Sequence, residues 1–193
     1  MKVVAFNGSP RPDGNTSILL NHVLQPLQAE GIQTEVVQLG GSNIHGCRAC
    51  YGCSKTKNGR CNMDDDVANG CIARMVEADG IILGSPTYFA DVTPETKALI
   101  DRAGFVTRWS GDLLKRKVGA AVIAVRRAGE LHGFDSINHF FLISQMLVPG
   151  SSYWNVGIGR DKGDVNKDEE GLMTMRVLGE NMAWLLKKVG GQK

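Results

Sequence analysis

The segment that most constrains how this chain folds is the polar loop at residues 7–17, NGSPRPDGNTS. The apolar run at residues 3–6 precedes it and predicts a buried strand, and the apolar residues after it recur with helical spacing. A loop that opens a helix attracts anions, because free backbone N–H groups and the helix dipole face it. The predicted anion-binding residues are Ser9, Arg11, Asn15, Thr16 and Ser17. Short polar side chains and one guanidinium together suit a phosphate monoester.

This loop matches neither of the two commonest phosphate-binding motifs. Gly8 and Gly14 are one residue too far apart for a P-loop, and the lysine of that motif is missing. The glycine fingerprint of dinucleotide-binding proteins is missing from this turn as well. The alternative is an ordinary strand-to-helix loop in which Asn15 or Thr16 caps the helix.

Length and composition predict one domain over residues 1–193 with a sizeable core, since 42% of the residues are hydrophobic and 22% are charged. The net charge of +2 gives no reason to expect a nucleic-acid or membrane partner. No apolar run approaches the ~20 residues that cross a bilayer. Because a strand begins almost at the N-terminus, we expect no signal peptide, a cytoplasmic location and five cysteines that are reduced or metal-bound.

Five strand-like runs alternate with five helical patterns, which predicts an α/β fold with a doubly wound parallel sheet of order 2-1-3-4-5. The predicted strands are residues 3–6, 34–39, 80–84, 117–125 and 152–156. The predicted helices run over 16–30 with a kink or an early end at Pro26, from 64 onward, from Pro94 after a Thr93 cap, around 137–147 and over 168–189. In such a sheet a ligand binds at the carboxyl ends of strands one, three and four, where the loops 7–17, 85–91 and 126–133 meet.

The second and third of these loops carry residues that suit an aromatic ring. Tyr88 and Phe89 follow a strand end that Pro86 stiffens, and exposed aromatics there suit a flat ligand. The third loop offers Arg126, Arg127 and backbone N–H groups around Gly129, which suit a ring carbonyl that becomes anionic on reduction. A phosphate, a ring and a stabilised anion together describe FMN. The alternatives are that Phe89 covers the core, that Tyr88 is a surface residue and that both arginines are solvated.

A cysteine-rich loop at residues 46–63 follows the second strand and contains Cys47, Cys50, Cys53 and Cys61. The C-x2-C-x2-C opening is typical of a 4Fe–4S cluster, and the fourth cysteine is close enough for one loop to supply all four ligands. Free thiols and a zinc site remain alternatives. The fifth cysteine, Cys71, lies on an apolar helical stripe and is expected in the core.

Residues 7–11, 15–17 and 85–89 resemble the NADPH-dependent FMN reductases of the flavodoxin-like superfamily, and the cysteine run resembles the iron–sulfur flavoprotein branch. The resemblance implies a flavodoxin-like fold and places the FMN phosphate on the five residues of the first loop. It implies contacts along the flavin ring from Pro86, Thr87, Tyr88 and Phe89. Many flavin reductases have a glycine-rich third loop, whereas this chain has Arg126, Arg127, Ala128 and Gly129 there.

The predicted function is that of an FMN-dependent oxidoreductase that passes electrons between FMN and a 4Fe–4S cluster, with NAD(P)H or ferredoxin as the donor. The alternatives are an NAD(P)H-dependent FMN or quinone reductase without a cluster and a zinc-stapled binding module. A cysteine phosphatase is disfavoured, because no C-x5-R loop surrounds the cysteines. The resemblance also implies a homodimer or homotetramer, to which we expect large aromatics to contribute: Trp109, Phe134, Phe140, Phe141 and Trp154.

Overall fold

A five-stranded parallel sheet forms the centre of the computed structural model, which describes residues 1–190. The strand order is β2-β1-β3-β4-β5, as the sequence predicts, and every neighbouring pair is parallel. The strands are β1 (Lys2–Asn7), β2 (Gln33–Gln38), β3 (Gly80–Pro86), β4 (Val118–Val125) and β5 (Val156–Ile158).

Helices cover both faces of this sheet. They are α1 (Asn15–Ala29), α2 (Gly52–Thr56), α3 (Ala68–Glu77), α4 (Pro94–Trp109), α5 (Glu130–Ile143) and α6 (Glu169–Gly190), with a 3₁₀ helix at Asp164–Lys167. On one face α1 and α6 pack on Val3 and Ala5 of β1, and on the other face α3, α4 and α5 surround Val4 and Phe6. Because alternate residues of a strand point to opposite faces, the central strands are apolar throughout, as predicted.

Two helix boundaries differ from the sequence prediction. Helix α1 continues past Pro26 to Ala29, because the flanking Leu24 and Leu27 are buried and hold this turn in the core. Helix α3 begins at Ala68 and not at Asp64, since the Asp66 carboxylate accepts the Ala68 N–H (3.0 Å) and so lies in the turn before the helix.

The segment from residue 144 to 158 also departs from the prediction. Helix α5 ends at Ile143, and Leu147 lies beyond it in a bridge to Val118. Residues 152–155 of the predicted fifth strand instead form a turn held by Ser151, whose hydroxyl proton is shared between Tyr153 O (2.5 Å) and Asn155 Oδ1 (2.6 Å) as acceptors. Strand β5 therefore begins only at Val156.

No helix within residues 1–190 has both the length and the apolar character that crossing a membrane requires.

Candidate cofactor sites

The loops after β1, β3 and β4 lie together at the carboxyl edge of the sheet. Gly8 N–H donates to Gly84 O (2.7 Å), and Thr87 N–H donates to Ala124 O (2.9 Å). The third loop contacts the second at Gly129, where an added Cβ would lie 3.4 Å from the Ala90 Cα. Gly129 has a φ of +92°, which favours glycine. The sheet thus brings the three predicted loops into one region.

The first loop presents the uncapped start of α1. Gly14 occupies the N-cap position and no side chain caps the helix, so neither Asn15 nor Thr16 acts as the cap in the way that the alternative required. The first-turn N–H groups of α1 therefore remain available to an anion. Ser9 is buried beside them, its N–H donating to Asn7 Oδ1 (3.1 Å) and its Oγ accepting Arg11 N–H (3.2 Å). Thr16 is buried, Ser17 is half-buried and the side chain of Arg11 is exposed.

The side chain of Asn15 contacts a fourth loop, at residues 159–163, that the sequence analysis did not connect to this edge. Asn15 Nδ2 donates to Asp161 O (3.0 Å), and Oδ1 accepts Gly163 N–H (2.9 Å). An ion pair between Lys162 and Asp13 joins the same two loops. In this arrangement Asn15 offers an anion its backbone N–H, while its side chain fixes the loop after β5.

The second loop is a tight turn that places an aromatic side chain in solvent. Tyr88 and Asp91 exchange backbone hydrogen bonds of 2.7 and 3.0 Å, and Phe89 lies at the tip with a φ of +45°. Phe89 is fully exposed and Tyr88 is 46% exposed, so Phe89 does not cover the core. Thr87 Oγ1 is buried and has no hydrogen-bond partner. An unpaired hydroxyl that directly precedes two exposed rings in the chain fits a flat ligand with polar edges.

The third loop contributes charge and one group that sequence reasoning missed. Arg126, Arg127 and Ala128 are exposed, and Gly129 is the N-cap of α5. Directly after them, Glu130 has a carboxylate oxygen, Oε2, that is buried without a hydrogen-bond partner. No local pattern in the sequence signals this burial, which depends on how α5 packs beside the second loop.

The four predicted cysteines lie around one cavity beside α4. Cys47 and Cys50 are exposed, and Cys53 and Cys61 are partly buried. Tyr51 and Phe105 also line this cavity, with their rings edge to face at 6.4 Å. A short helix that the sequence analysis did not predict, α2, carries Cys53.

The backbone of this loop is bent in several places to bring the cysteines together. Ala49 and Tyr51 adopt left-handed conformations (φ +50° and +54°), and Ala49 N–H donates to Cys47 Sγ (3.4 Å). Asn69 is buried and holds Cys61 from both sides, accepting its N–H (2.8 Å) and donating to its carbonyl (2.9 Å). Burial raises the pKa of the Cys53 thiol, and the neighbouring Cys61, Cys47 and Cys50 raise that pKa further.

The four thiols around this cavity are a donor set that suits an iron–sulfur cluster or a zinc ion, since either group takes four cysteine ligands. Cys71, by contrast, is buried in the core, as predicted, and burial raises its pKa to about 11.

A buried ion pair supports the cysteine loop, and sequence reasoning missed it. Arg102 of α4 and Asp66 are paired with both side chains fully buried. The Arg102 guanidinium also donates to Met63 O (2.7 Å) and His45 O (3.3 Å).

The pairing shifts the pKa values of both groups. Burial acts to lower the pKa of Arg102, but the interactions with Asp66 and Cys61 are stronger, so this pKa is raised overall. Burial likewise raises the pKa of Asp66, but the N–H groups of His45 and Ala68 and the guanidinium lower it overall. The sequence pattern that could have pointed to this buried pair was Arg102 itself, an arginine within the apolar helical stripe of Leu99, Ala103 and Val106.

Helix α4 connects the two sites. At its N-terminus, Thr93 Oγ1 donates to Gly8 O (2.9 Å) in the first loop. Arg102 and Phe105, farther along the helix, line the cysteine cavity. At 1.5 Å per residue, Thr93 and Arg102 lie roughly 13 Å apart along the helix axis.

The fold and these two sites define a flavodoxin-like α/β protein with a candidate ligand-binding edge and a separate cysteine cluster. The sequence profile of the NADPH-dependent FMN reductases matches residues 1–161. An iron–sulfur flavoprotein of Methanocaldococcus jannaschii is 39% identical over 196 residues, which cover 98% of this chain and 99% of the relative. This chain therefore belongs to the NADPH-dependent FMN reductase family, among the iron–sulfur flavoproteins.

Solved structures show the same fold at low sequence identity. RosB, crystallised with 8-demethyl-8-formylriboflavin-5'-phosphate, has a TM-score of 0.78 at 18% identity, covering 100% of this chain and 81% of RosB. The NAD(P)H:quinone oxidoreductase of Methanothermobacter marburgensis has a TM-score of 0.68 at 17% identity, covering 94% and 96% of the two chains.

Proposed function

We propose that this chain is an FMN-dependent oxidoreductase that passes electrons between FMN at the sheet edge and a 4Fe–4S cluster on Cys47, Cys50, Cys53 and Cys61. The observation that carries the proposal is the convergence of these four cysteines on one cavity, since four cysteine ligands are what a 4Fe–4S cluster requires. The name of the relative from Methanocaldococcus jannaschii supports the same pair of cofactors.

The residues at the sheet edge fit FMN. The uncapped start of α1, with Ser9, Thr16, Ser17 and Arg11 around it, supplies donors and positive potential for the phosphate. Along the ring we assign Pro86, Thr87, Tyr88 and Phe89. The third loop, Arg126 to Gly129, supplies positive charge at the ring's polar edge.

When bound, FMN would take up an electron pair with a hydride, and the 4Fe–4S cluster would carry single electrons. The chain itself fixes the phosphate by the first loop, keeps the ring accessible beside the exposed Phe89 turn, and places both sites on α4. We infer that an external donor, NAD(P)H or ferredoxin, delivers the electrons.

The test is anaerobic metal and flavin analysis of the wild type and of Cys50→Ser. We expect about four iron and four sulfide per chain in the wild type, with a broad absorption band near 400 nm. Cys50→Ser should lose the iron and sulfide and keep FMN, because the first loop is unchanged.

Cys71→Ala is the matched control, since it removes the one cysteine that lies in the core and should leave the iron content unchanged. Zinc in place of iron, or iron that survives Cys50→Ser, would reject the cluster. FMN bound without any metal would favour the alternative, an NAD(P)H-dependent FMN or quinone reductase. Anaerobic mixing of the oxidised protein with NADPH or with reduced ferredoxin identifies the donor, which is the one that bleaches the flavin.

A further inference from the structure

One buried cation faces the cysteine site, and one of its donors has no partner. Arg102 is 1% exposed, and both the carboxylate of Asp66 and the carbonyl of Met63 hold its terminal nitrogens. Its Nε–H is buried with no hydrogen-bond partner. The guanidinium lies beside Cys61 and lines the same cavity as all four cysteines.

We propose that Arg102 is a positioning residue for the cysteine site: it directs its Nε–H and its charge at the sulfur of Cys61 and raises the reduction potential of the cluster. This inference rests on the proposed function, because it requires a cluster on these cysteines. An orphaned, buried donor of a charged group is costly unless a partner completes it. The Cys61 sulfur, which lies beside the guanidinium, is the acceptor that we assign to it.

The buried position of Arg102 lets it affect the reduction potential of the cluster more strongly than the cations of the cysteine-rich loop do. Arg48, Lys55, Lys57 and Arg60 are exposed, so water and salt screen their charges. Arg102 acts through protein, where the effective dielectric constant is lower. Asp66 accepts from Nη1 and offsets part of this charge, whereas Nε–H is left for another acceptor. Reduction adds negative charge to the site, and Arg102 favours that state.

The experiment compares the one-electron midpoint potential of the cluster in four proteins, by anaerobic redox titration with electron paramagnetic resonance detection. They are the wild type, Arg102→Lys, the double variant Asp66→Asn with Arg102→Gln, and Arg108→Gln. The double variant removes both charges of the pair, so it leaves no buried ion unpaired. Arg108→Gln is the matched control, because it removes an exposed arginine from the same helix.

We expect the double variant to reduce the equilibrium constant for cluster reduction at least tenfold, which is about 59 mV for one electron. Arg102→Lys should shift the potential in the same direction by less, because it keeps the charge and loses Nε–H. Arg108→Gln should match the wild type. If the double variant retains FMN but loses its iron, it has no cluster potential to measure and Arg102→Lys decides.

Wild-type potentials in both Arg102 variants would overturn the inference. If the double variant does not fold, Arg102→Lys decides alone, and an unchanged potential in that variant rejects the role. A wild type that contains no iron rejects the proposed function instead, and iron analysis before the titration detects this case separately.

Discussion

At the scale of single residues, the Asp66–Arg102 pair joins the cysteine loop to α4. Both side chains are fully buried, so each charge depends on the other for compensation. Asp66 in addition accepts His45 N–H (2.8 Å) and Ala68 N–H (3.0 Å). The pair therefore fixes the ends of the cysteine loop, at residues 45 and 66–68, whether or not a metal group is bound.

The pKa of Asp66 predicts how the stability of the protein depends on pH. Because this pKa is lowered in the folded state, the stabilisation is fully present above the unfolded value of about 3.9 and is lost as the pH falls through the folded pKa. Asp66→Asn should cost about 3–5 kcal/mol of unfolding free energy near neutral pH, since it leaves Arg102 buried and unpaired. The variant should also lose less stability than the wild type below about pH 4.

Urea unfolding at several pH values checks this prediction. Asp65→Asn is the control, because its carboxylate is exposed and its removal should change the free energy of unfolding by about 0.5 kcal/mol or less. Equal stabilities of the two variants at neutral pH would contradict the importance of the pair.

Ser9 and Thr16 of the first loop are predicted to bind the phosphate of FMN. Replacing both by alanine should weaken FMN binding by several kcal/mol at most, since each charge-assisted hydrogen bond contributes roughly 1.5–3 kcal/mol. Riboflavin, which lacks the phosphate, should bind the wild type and the double variant equally. Flavin fluorescence titration of refolded apo-protein measures both affinities, and a wild type without preference for FMN over riboflavin would refute the phosphate site.

At the scale of secondary-structure elements, α1 and α6 pack closely through Gly179. An added Cβ there would overlap the Val23 carbonyl oxygen and lie 3.1 Å from Pro26 Cγ. This contact helps to explain why α1 continues through Pro26: the proline ring lies in the interface with α6, and burial compensates for the missing hydrogen bond.

Gly179→Ala should therefore destabilise the protein by about 1–3 kcal/mol, because the two helices must separate to admit a methyl group. Gly70→Ala of α3 is the matched control: its Cβ would meet only Arg74 Nη1, at 3.4 Å. It should stabilise the protein by about 0.5–1 kcal/mol, the usual difference between alanine and glycine in a helix. Chemical denaturation measures both, and a Gly179→Ala protein as stable as the wild type would show that the helices are not closely packed.

At the scale of the whole molecule, apolar side chains remain exposed on the α4–α5 face. Of the five aromatics that the sequence analysis connected with assembly, Phe140 and Phe141 are buried in the core and Phe134 is half-buried, while Trp109 and Trp154 are 45% and 55% exposed. Trp109 lines a groove between α4 and α5 with Phe105 and Ile143. Exposed apolar surface of this kind is typical of a protein interface.

We predict that the protein forms a homodimer or homotetramer through this face. Ile143→Lys should shift the protein toward smaller species in sedimentation equilibrium, because it places a charge in the contact. Trp184→Lys is the control, since Trp184 is exposed on α6, which packs on the other face of the sheet. A wild type that sediments as a monomer at micromolar concentration would reject the prediction.

Much of this architecture follows from local sequence patterns. The apolar runs of β1, β3 and β4, the Thr93-Pro94 start of α4 and the polar loop at 7–17 each identify an element without knowledge of its neighbours. The general rule for parallel sheets then places three loops at one edge. Where the local signals were weak, as at residues 152–158, side-chain bonds of Ser151 decided the outcome and the prediction was wrong.

The sequence by itself determined the class of fold, the loops at the sheet edge and the cysteine spacing, because periodicity, turn residues and ligand spacing are local properties. Only the tertiary structure decided which distant groups meet. Arg102 and Asp66 are 36 residues apart, and Asn15 lies 146 residues from Asp161. A buried charge is tolerated only where packing supplies its partner, so the apolar stripe of α4 could mark Arg102 as a buried arginine but could not show that it lies beside the cysteines.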